Sequence, residues 1–245
     1  MGQKERQTVI KVASLRVPLK VIWEHRRNIR MAIGKRAVLL RLPLDYRINE
    51  EEEIEKIKSW LAQLAHKKEG VLDRLAIKAY EDGQVLTVGD RQYLLSISFE
   101  DRKTHSAQRI GQTISLTLAA GEQGPHLQRK IRHLLSRVIA QDFLPAITRR
   151  VLDLNDAHFQ KQIKGVRLKY NFSNWGSCSS SGNINLSTRL LFAPPDVIDY
   201  VIIHELAHLF EMNHSPRFWK IVATAMPSYK QKEQWLKQNS HLCDF

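Results

Sequence analysis

One stretch decides how the whole chain is interpreted: Tyr200-Val-Ile-Ile-His204-Glu205-Leu-Ala-His208-Leu-Phe-Glu-Met-Asn-His214-Ser-Pro-Arg-Phe-Trp219. It contains the pattern H-E-x-x-H, and a third histidine lies six residues beyond the second. In a helix, side chains four residues apart lie on the same face, so His204 and His208 can bind one metal ion. Glu205 lies about 100° around the helix from His204. It can therefore take a proton from a water molecule beside the ion, but it cannot be the third ligand.

A third ligand requires the chain to leave the helix and turn back, and the sequence after His208 permits this. Asn213 tolerates a left-handed turn. Ser215-Pro216 is typical of an N-cap followed by the first residue of a new helix. We therefore expect the first helix to end near residues 211–212 and His214 to lie in the corner between two helices.

Apolar residues surround the motif on almost every side of the helix, which is typical of a helix in a protein core. They are Val197, Ile198, Val201, Ile202, Ile203, Leu206, Leu209 and Phe210. The alternative is a core helix that carries histidines by chance, but metal-seeking groups inside such a helix require partners. Three protein ligands with an open position are typical of catalytic zinc sites. The pattern predicts one Zn²⁺ per chain, bound by His204, His208 and His214, with Glu205 as the general base.

The composition is that of an ordinary globular protein. Hydrophobic residues make up 43% and charged residues 26% of the 245-residue chain, which argues against extensive disorder. No run approaches the roughly 20 apolar residues that cross a bilayer, and the first residues lack the apolar core of a signal peptide. Two cysteines, Cys178 and Cys243, are too few for a disulfide framework. We therefore expect a cytoplasmic protein with no membrane partner.

The net charge of +13 is concentrated upstream of the metal motif. Residues 1–50 carry 12 basic and 4 acidic residues, and residues 101–150 carry 9 and 3. A basic face can bind nucleic acid or another polyanion, so these two regions are the candidate surfaces for such a partner. A basic surface that is merely solvated explains the same charge equally well.

The chain before the motif alternates between strand and helix patterns, and no internal repeat is evident. The pattern predicts an irregular tail over residues 1–17 and short strands within residues 21–44. A helix follows, with Asn49 as its N-cap and Lys67 near its end, and further strands lie within residues 71–120. A basic helix then begins at Pro125 and is kinked or restarted at Pro145.

Residues 163–193 have the pattern of a β-hairpin directly before the metal helix. Residues 165–175 and 183–191 are the predicted strands, and residues 176–182 are the predicted turn. In a zinc protease, an exposed strand beside the metal can pair with an extended peptide, backbone to backbone. The arrangement favours a protein or peptide substrate.

Two motifs together carry a resemblance to a known family. The first is His204-Glu205-x-x-His208 with His214 and the following Ser215-Pro216-Arg217-Phe218-Trp219, and the second is Trp175-Gly176-Ser177-Cys178-Ser179. With these residues the chain resembles the YgjP-like metallopeptidases, a zincin-type family related to the SprT-like proteins. Asn174 stands where that family often has a basic residue, and Ser187 stands where an asparagine is common.

The resemblance covers nearly the whole chain and implies an α+β fold. We expect a β-rich, basic N-terminal region with one helix over residues 1–120. A zincin-like metal-binding catalytic domain with an upstream β-hairpin is expected over residues 121–245. The family implies zinc on the residues that match His204, His208 and His214, and a base at the residue that matches Glu205.

Residues near the hairpin are candidates for contacts to the substrate. Asn174 or Arg189 could stabilise a developing oxyanion, since zinc hydrolases usually recruit a second electrophile near the metal. Trp175 is a further candidate for substrate binding. Cys178 is predicted to be a small buried thiol rather than a nucleophile. Three carboxylates could orient a ligand histidine, and the sequence does not choose among them: Asp196, Asp199 and Glu211.

These observations favour a zinc-dependent metallopeptidase in which metal-activated water attacks a peptide bond. A first alternative is a metal-dependent hydrolase of a phosphoanhydride such as a nucleoside triphosphate, whose phosphates the basic regions would hold. The absence of a Gly-rich phosphate-binding loop in the sequence weighs against it. A second alternative is a protease that acts on proteins bound to nucleic acid.

Overall fold

The computed structural model describes residues 4–13, 15–34, 37–44, 46–67, 71–72, 75–76 and 78–245. Backbone contacts divide the chain into two compact units, Met1–Ala79 and Tyr80–Phe245. The sequence-based division after residue 120 assigned all the early strands to an N-terminal region. In the structure, the strands between residues 85 and 119 bury their side chains in the same core as the metal helix. The compact units therefore divide earlier in the chain, at residue 79.

The first unit is a four-stranded sheet followed by one helix. Its elements are β1 (Lys4–Val12), β2 (Leu15–Glu24), β3 (Arg30–Ile33), β4 (Val38–Pro43) and α1 (Glu50–Lys67). The strand order is β1-β2-β4-β3, in which the central pair is parallel and the outer pairs are antiparallel. Asn49 caps α1 as predicted, because its side-chain oxygen accepts a hydrogen bond from the backbone N–H of Glu51 at 3.2 Å. Ile57 and Leu61 of the helix are fully buried in this core.

The irregular tail predicted over residues 1–17 is wrong, because β1 and β2 form a long antiparallel hairpin there. Ile10 and Val12 are buried on one face of β1, and Val17 of β2 is buried with them. Exposed side chains such as Lys11 alternate with these apolar residues. The basic residues on the solvent face made the two-residue alternation of buried and exposed side chains difficult to recognise in the sequence.

The second unit begins with the same arrangement. It contains β5 (Val85–Val88), β6 (Arg91–Glu100), β7 (Ser106–Ile110), β8 (Thr113–Ala119) and α2 (Gly124–His158). The strand order β5-β6-β8-β7 again has a parallel central pair and antiparallel outer pairs. The structure therefore contains a duplicated four-strand-and-helix module that the sequence analysis did not detect. Pro145 does not restart α2, which is helical from end to end.

A hairpin does precede the metal helix, but its first strand, β10 (Gly176–Cys178), lies within the predicted turn and pairs with β11 (Asn183–Ser187). The long first strand predicted over residues 165–175 is wrong. Its beginning is β9 (Gly165–Lys169), which pairs with the other edge of β11 in parallel. The second predicted strand also ends early, because residues 188–192 form a turn of 3₁₀ helix.

Three helices complete the chain: α3 (Pro195–Ala207), α4 (Pro216–Ala225) and α5 (Tyr229–Asn239). Helix α3 is buried among apolar side chains, as its composition predicts, and shares its core with α2 and the sheets of the second unit. An α+β fold with a β-rich N-terminal part is therefore confirmed. Every helix in the described part of the chain is too short or too polar to cross a bilayer.

Asp142 of α2 connects this helix to two strands. It accepts a hydrogen bond from Tyr93 Oη at 2.6 Å and lies 2.8 Å from guanidinium nitrogens of both Arg91 and Arg109. Partial burial opposes the charged form of Asp142, but hydrogen bonds from Tyr93 and Arg91 outweigh it and hold the pKa of the carboxyl below its usual value.

We expect Asp142→Asn to lower the free energy of unfolding by about 2 kcal/mol, because it removes the charge from these hydrogen bonds. Urea denaturation measures the loss. Asp153→Asn is the matched control on the same helix, since Asp153 forms its ion pair with Arg149, whose side chain is 81% exposed. A carboxyl with a lowered pKa stabilises the fold above about pH 4 and loses this effect as the pH falls further. The difference between wild type and Asp142→Asn should therefore shrink in acid, and a constant difference would contradict the ionic role.

Candidate metal centre

The three histidines of the motif converge at the end of α3. His204 lies in the last turn of the helix, His208 follows its final residue, and His214 lies in the connection to α4. One ligand nitrogen from each ring lies within 4.8 Å of the others. The Nε2 atoms of His204 and His214 are 3.0 Å apart. The structure thus brings together all three predicted ligands.

The chain reverses direction between His208 and α4 by a route that differs in detail from the predicted one. Helix α3 ends at Ala207, about one turn before the predicted end. Asn213 does not adopt a left-handed backbone, since Ala13 and Gln160 are the non-glycine residues with positive φ in the described chain. Instead, its side-chain oxygen accepts a hydrogen bond from the backbone N–H of Ser215 at 3.0 Å. Ser215 then caps α4 as predicted by accepting a hydrogen bond from the N–H of Phe218.

Phe218 forms the apolar wall of the histidine cluster. Its fully buried ring lies 4.9, 4.6 and 4.8 Å, centroid to centroid, from the rings of His204, His208 and His214. Trp219 contacts His204 and His214 at 5.8 Å. The sequence analysis missed the contact of both aromatic residues with the histidines. Their position directly after Ser215-Pro216 was the available signal.

The electrostatic setting keeps the imidazoles of His204 and His208 neutral. Burial, with the nearby charges of His208 and His214, lowers the pKa of His204 to about 4. Burial also lowers the pKa of His208. A neutral imidazole has a free lone pair, which is the form that binds a metal.

One of the three carboxylate residues proposed to orient a ligand acts through its backbone. The carbonyl oxygen of Glu211 lies 3.0 Å from Nδ1 of His208, so this nitrogen can donate and leave the other one for the metal. Asp196 pairs with Lys232, and Asp199 forms two hydrogen bonds with Arg150. Both are thus engaged with cations on other helices.

The three residues fit a metal ion. At a tetrahedral zinc with bonds of about 2.0–2.1 Å, ligand nitrogens lie about 3.3 Å apart, close to the 3.0 Å between His204 and His214. The buried Nδ1 of His204 has no hydrogen-bond partner among the described residues. The other nitrogen of this ring, Nε2, is the one that faces His214.

Glu205 lies behind the cluster, pressed against β10. It is 5% exposed, and burial raises the pKa of its carboxyl to about 8. A divalent cation held by the adjacent histidines would favour the charged carboxylate. A Cβ atom on Gly176 would lie 2.5 Å from Oε1 of Glu205, so only glycine fits there without a shift.

The predicted substrate contacts lie on the segment that leads into β10. Asn174 is exposed and donates a hydrogen bond to the carbonyl of Gly176 at 3.0 Å. Trp175 is partly buried, and the guanidinium of Arg189 lies 4.6 Å from its ring centroid. Arg189 is itself buried, and its nitrogens donate to three backbone carbonyls: those of Phe172, Ser240 and Cys243. These bonds give Arg189 a structural role, and a direct contact of any of these residues with substrate stays a prediction.

Cys178 lies on β10, and its side chain is partly buried. Burial, followed by the charge of Glu205, raises the pKa of its thiol to about 11. At neutral pH the residue is therefore a thiol rather than a nucleophilic thiolate, as the sequence predicts.

Comparison with known proteins identifies similar sequences and structures. The family model described as YgjP-like, metallopeptidase domain, matches residues 27–239. A UTP pyrophosphatase of Escherichia coli (strain K12) is 29% identical over 100 residues, and the matched region spans 39% of this chain and 59% of that protein. Two metallopeptidase zymogens of known structure each align with 38% of this chain. Abylysin of Pyrococcus abyssi is 23% identical, with 93% of its chain covered and a TM-score of 0.34. Jannalysin of Methanocaldococcus jannaschii is 18% identical, with 96% covered and a TM-score of 0.35.

We expect His214→Ala to lose stoichiometric metal, because two imidazoles remain where three converge. Elemental analysis of protein purified without added metal, for wild type and His204→Ala as well, measures the content. His126→Ala is the control, since its side chain is 66% exposed and lies on α2 outside the cluster. Unchanged metal content in folded His214→Ala would show that the third ligand lies elsewhere.

Proposed function

The chain belongs to the YgjP-like metallopeptidase family, and from this we propose that it is a zinc-dependent hydrolase that cleaves peptide bonds with Glu205 as its general base. Membership in the family supports a metal-dependent hydrolase. The observation that carries the finer proposal is the convergence of three imidazoles beside the buried carboxylate of Glu205.

The donor set favours zinc. His204, His208 and His214 supply three imidazole nitrogens, which suit zinc better than the oxygen-seeking ions magnesium and calcium. Three protein ligands leave a position open for water or substrate, so we propose one ion per chain. When bound, the ion supplies Lewis acidity, which makes a neighbouring water molecule a stronger acid and polarises a substrate carbonyl.

We assign the proton transfer to Glu205. It follows His204 directly on α3, and the contact with Gly176 fixes its carboxylate. From there it can take a proton from the attacking water and deliver it to the leaving amine. The apolar surroundings keep bulk water from competing for the carboxylate.

The position of β10 supports a peptide as the substrate. This strand is the edge of the β10-β11-β9 sheet, and its residue Gly176 contacts Glu205. An extended peptide that adds to this edge would run past the catalytic carboxylate, with its backbone held by hydrogen bonds. We therefore propose protein or peptide substrates, in the reducing cytoplasm that two cysteines in 245 residues favour.

A phosphoanhydride hydrolase is the second candidate, favoured by the similarity to a UTP pyrophosphatase over 100 residues. The chain spans 59% of the length of that protein. The same ion and Glu205 could direct water at phosphorus, with basic side chains holding the phosphates. No Gly-rich phosphate-binding loop occurs in the sequence, and for this reason we place the peptidase first.

We expect Glu205→Gln to retain the metal and to lose nearly all hydrolysis, by about a thousandfold or more, because the amide cannot accept the proton. Metal content and turnover are measured on the same sample. Glu211→Gln is the matched control, because Glu211 contacts His208 through its backbone carbonyl rather than its carboxylate. Full activity of Glu205→Gln would exclude the mechanism.

The substrate panel for this comparison contains casein-like peptides and nucleoside triphosphates. Peptide cleavage that Glu205→Gln abolishes supports the peptidase. Release of phosphate or pyrophosphate with the same dependence on Glu205 would instead select the second candidate.

A second test concerns the contact between β10 and the base. Gly176→Ala places a methyl group 2.5 Å from Oε1 and 2.7 Å from Cγ of Glu205, so the carboxylate must move. A misplaced catalytic group costs up to about a hundredfold in rate. We expect turnover to fall by about tenfold to a hundredfold while the metal is retained. Ser177→Ala is the control, since its hydroxyl accepts a hydrogen bond from Asn185 instead. Equal activity of Gly176→Ala and wild type would refute the positioning role of this contact.

A further inference from the structure

A cleft of about 320 Å³ lies between α2 and β9. His133, Arg137 and Gln141 contribute to one wall, and Lys169 and Tyr170 contribute to the other. Of the described residues that line it, none belongs to the metal centre. The volume lies at the lower end of the roughly 300–1,000 Å³ typical of small-molecule sites.

The charged groups of the cleft are cations. Arg137 and Lys169 face each other across it, both are exposed, and no Asp or Glu is among the described residues that line it. Within the described part of the chain, neither cation lies within ion-pair distance of a carboxylate. Other cations of α2 are already paired, for example Arg150 with Asp199 and Lys130 with Glu122. The cleft therefore presents two positive charges without a partner.

The carboxylate that is bonded to Tyr170 does not neutralise them. Asp244 accepts a hydrogen bond from Tyr170 Oη at 3.0 Å, and its other oxygen lies 3.6 Å from Arg132. These contacts satisfy Asp244 locally. An anion that enters the cleft therefore meets Arg137 and Lys169 first.

Aromatic and aliphatic side chains form part of the remaining lining, beside the polar Ser136 and Gln141. The ring of Tyr170 packs edge-on against His133 with centroids 5.2 Å apart, and Leu144 and Leu168 lie beside them. Aromatic and aliphatic surface binds a flat heterocycle, while an arginine fork and a lysine ammonium bind phosphate oxygens. A ligand that matches both parts contains a ring and a phosphate group.

We propose that the cleft between α2 and β9 binds a nucleoside phosphate, with the phosphate between Arg137 and Lys169 and the base against Tyr170 and Leu144. The site lies outside the metal centre and does not depend on which bond is cleaved there. A free nucleotide and a nucleotide within a nucleic acid share this chemistry.

Isothermal titration of the full chain with AMP or UMP at low salt tests the proposal. These ligands contain no phosphoanhydride, so hydrolysis at the metal centre cannot consume them. We expect saturable binding that weakens with salt, and no comparable binding of adenosine or uridine. Arg137→Ser with Lys169→Ser should weaken binding by about a hundredfold, roughly tenfold for each cation.

The control variant is Arg149→Ser, which removes an exposed cation of the same helix that pairs with Asp153 outside the cleft. It should bind the nucleotides as wild type does. Metal content should be unchanged in every variant, which separates this site from the metal centre.

A further substitution distinguishes the two sources of the ligand. Arg129 is an exposed residue eight positions before Arg137 on α2, about 12 Å along the helix and about 80° around it, and it does not line the cleft. If a nucleic acid occupies the site, Arg129→Ser should weaken the binding of a short oligonucleotide but not the binding of AMP. If free nucleotides are the ligands, the oligonucleotide should bind no more tightly than AMP, and Arg129→Ser should have no effect.

Two results would overturn the proposal. One is the absence of saturable binding of AMP and UMP to wild-type protein at low salt. The other is nucleotide binding that survives the double substitution at Arg137 and Lys169, since the phosphate would then be bound elsewhere.

Discussion

The metal centre depends on the burial of imidazoles and a carboxylate at the end of one apolar helix. Polar groups removed from water are costly unless they find partners. The rings of His204 and His208 meet this cost by remaining neutral, and the ring of Phe218 covers all three ligands with apolar surface. Glu205 is 5% exposed, and its carboxylate meets backbone where any larger residue than Gly176 would clash. The burial that removes these side chains from water also holds the imidazoles and the carboxylate of Glu205 in place.

A chain of hydrogen bonds on the other side of the sheet holds β10 against Glu205. Ser187 binds the segment before β10 twice, with its backbone N–H to the carbonyl of Trp175 and its hydroxyl to that of Asn171. Arg189 adds a bond to the carbonyl of Phe172 and two bonds to the C-terminal residues. The residues at the start of the 3₁₀ turn thus hold the strand that lies against Glu205. Arg189, which was predicted to contact the substrate, and Ser187, which departs from the family pattern, therefore both act on the site through the backbone that they hold.

Periodic patterns and short motifs were readable from the sequence, whereas long-range pairing was not. H-E-x-x-H predicted that His204 and His208 lie together because helical spacing is local, and Asn49 predicted the start of α1 for the same reason. The parallel pairing of β9 with β11 leaves no local signal, so residues 165–175 resembled one continuous strand. The role of Arg189 was hidden in the same way, since two of its carbonyl partners lie at Ser240 and Cys243, more than 50 positions away. The prediction for residues 1–17 was wrong for a different reason. Basic side chains on the solvent face of the strands made the alternation of buried and exposed residues difficult to recognise.

The duplicated module explains how a β-rich chain supports a helical metal site. Buried residues of β4 and β8 correspond at a constant offset: Val38, Leu40 and Leu42 with Ile114, Leu116 and Leu118. The two modules differ in the helix that follows, which has 18 residues in α1 and 35 in α2. The additional turns of α2 bury Ile147, Val151 and Leu154 in the core that contains α3, and Arg150 binds Asp199 of α3. A longer helix on the second copy therefore provides the surface on which the metal helix packs.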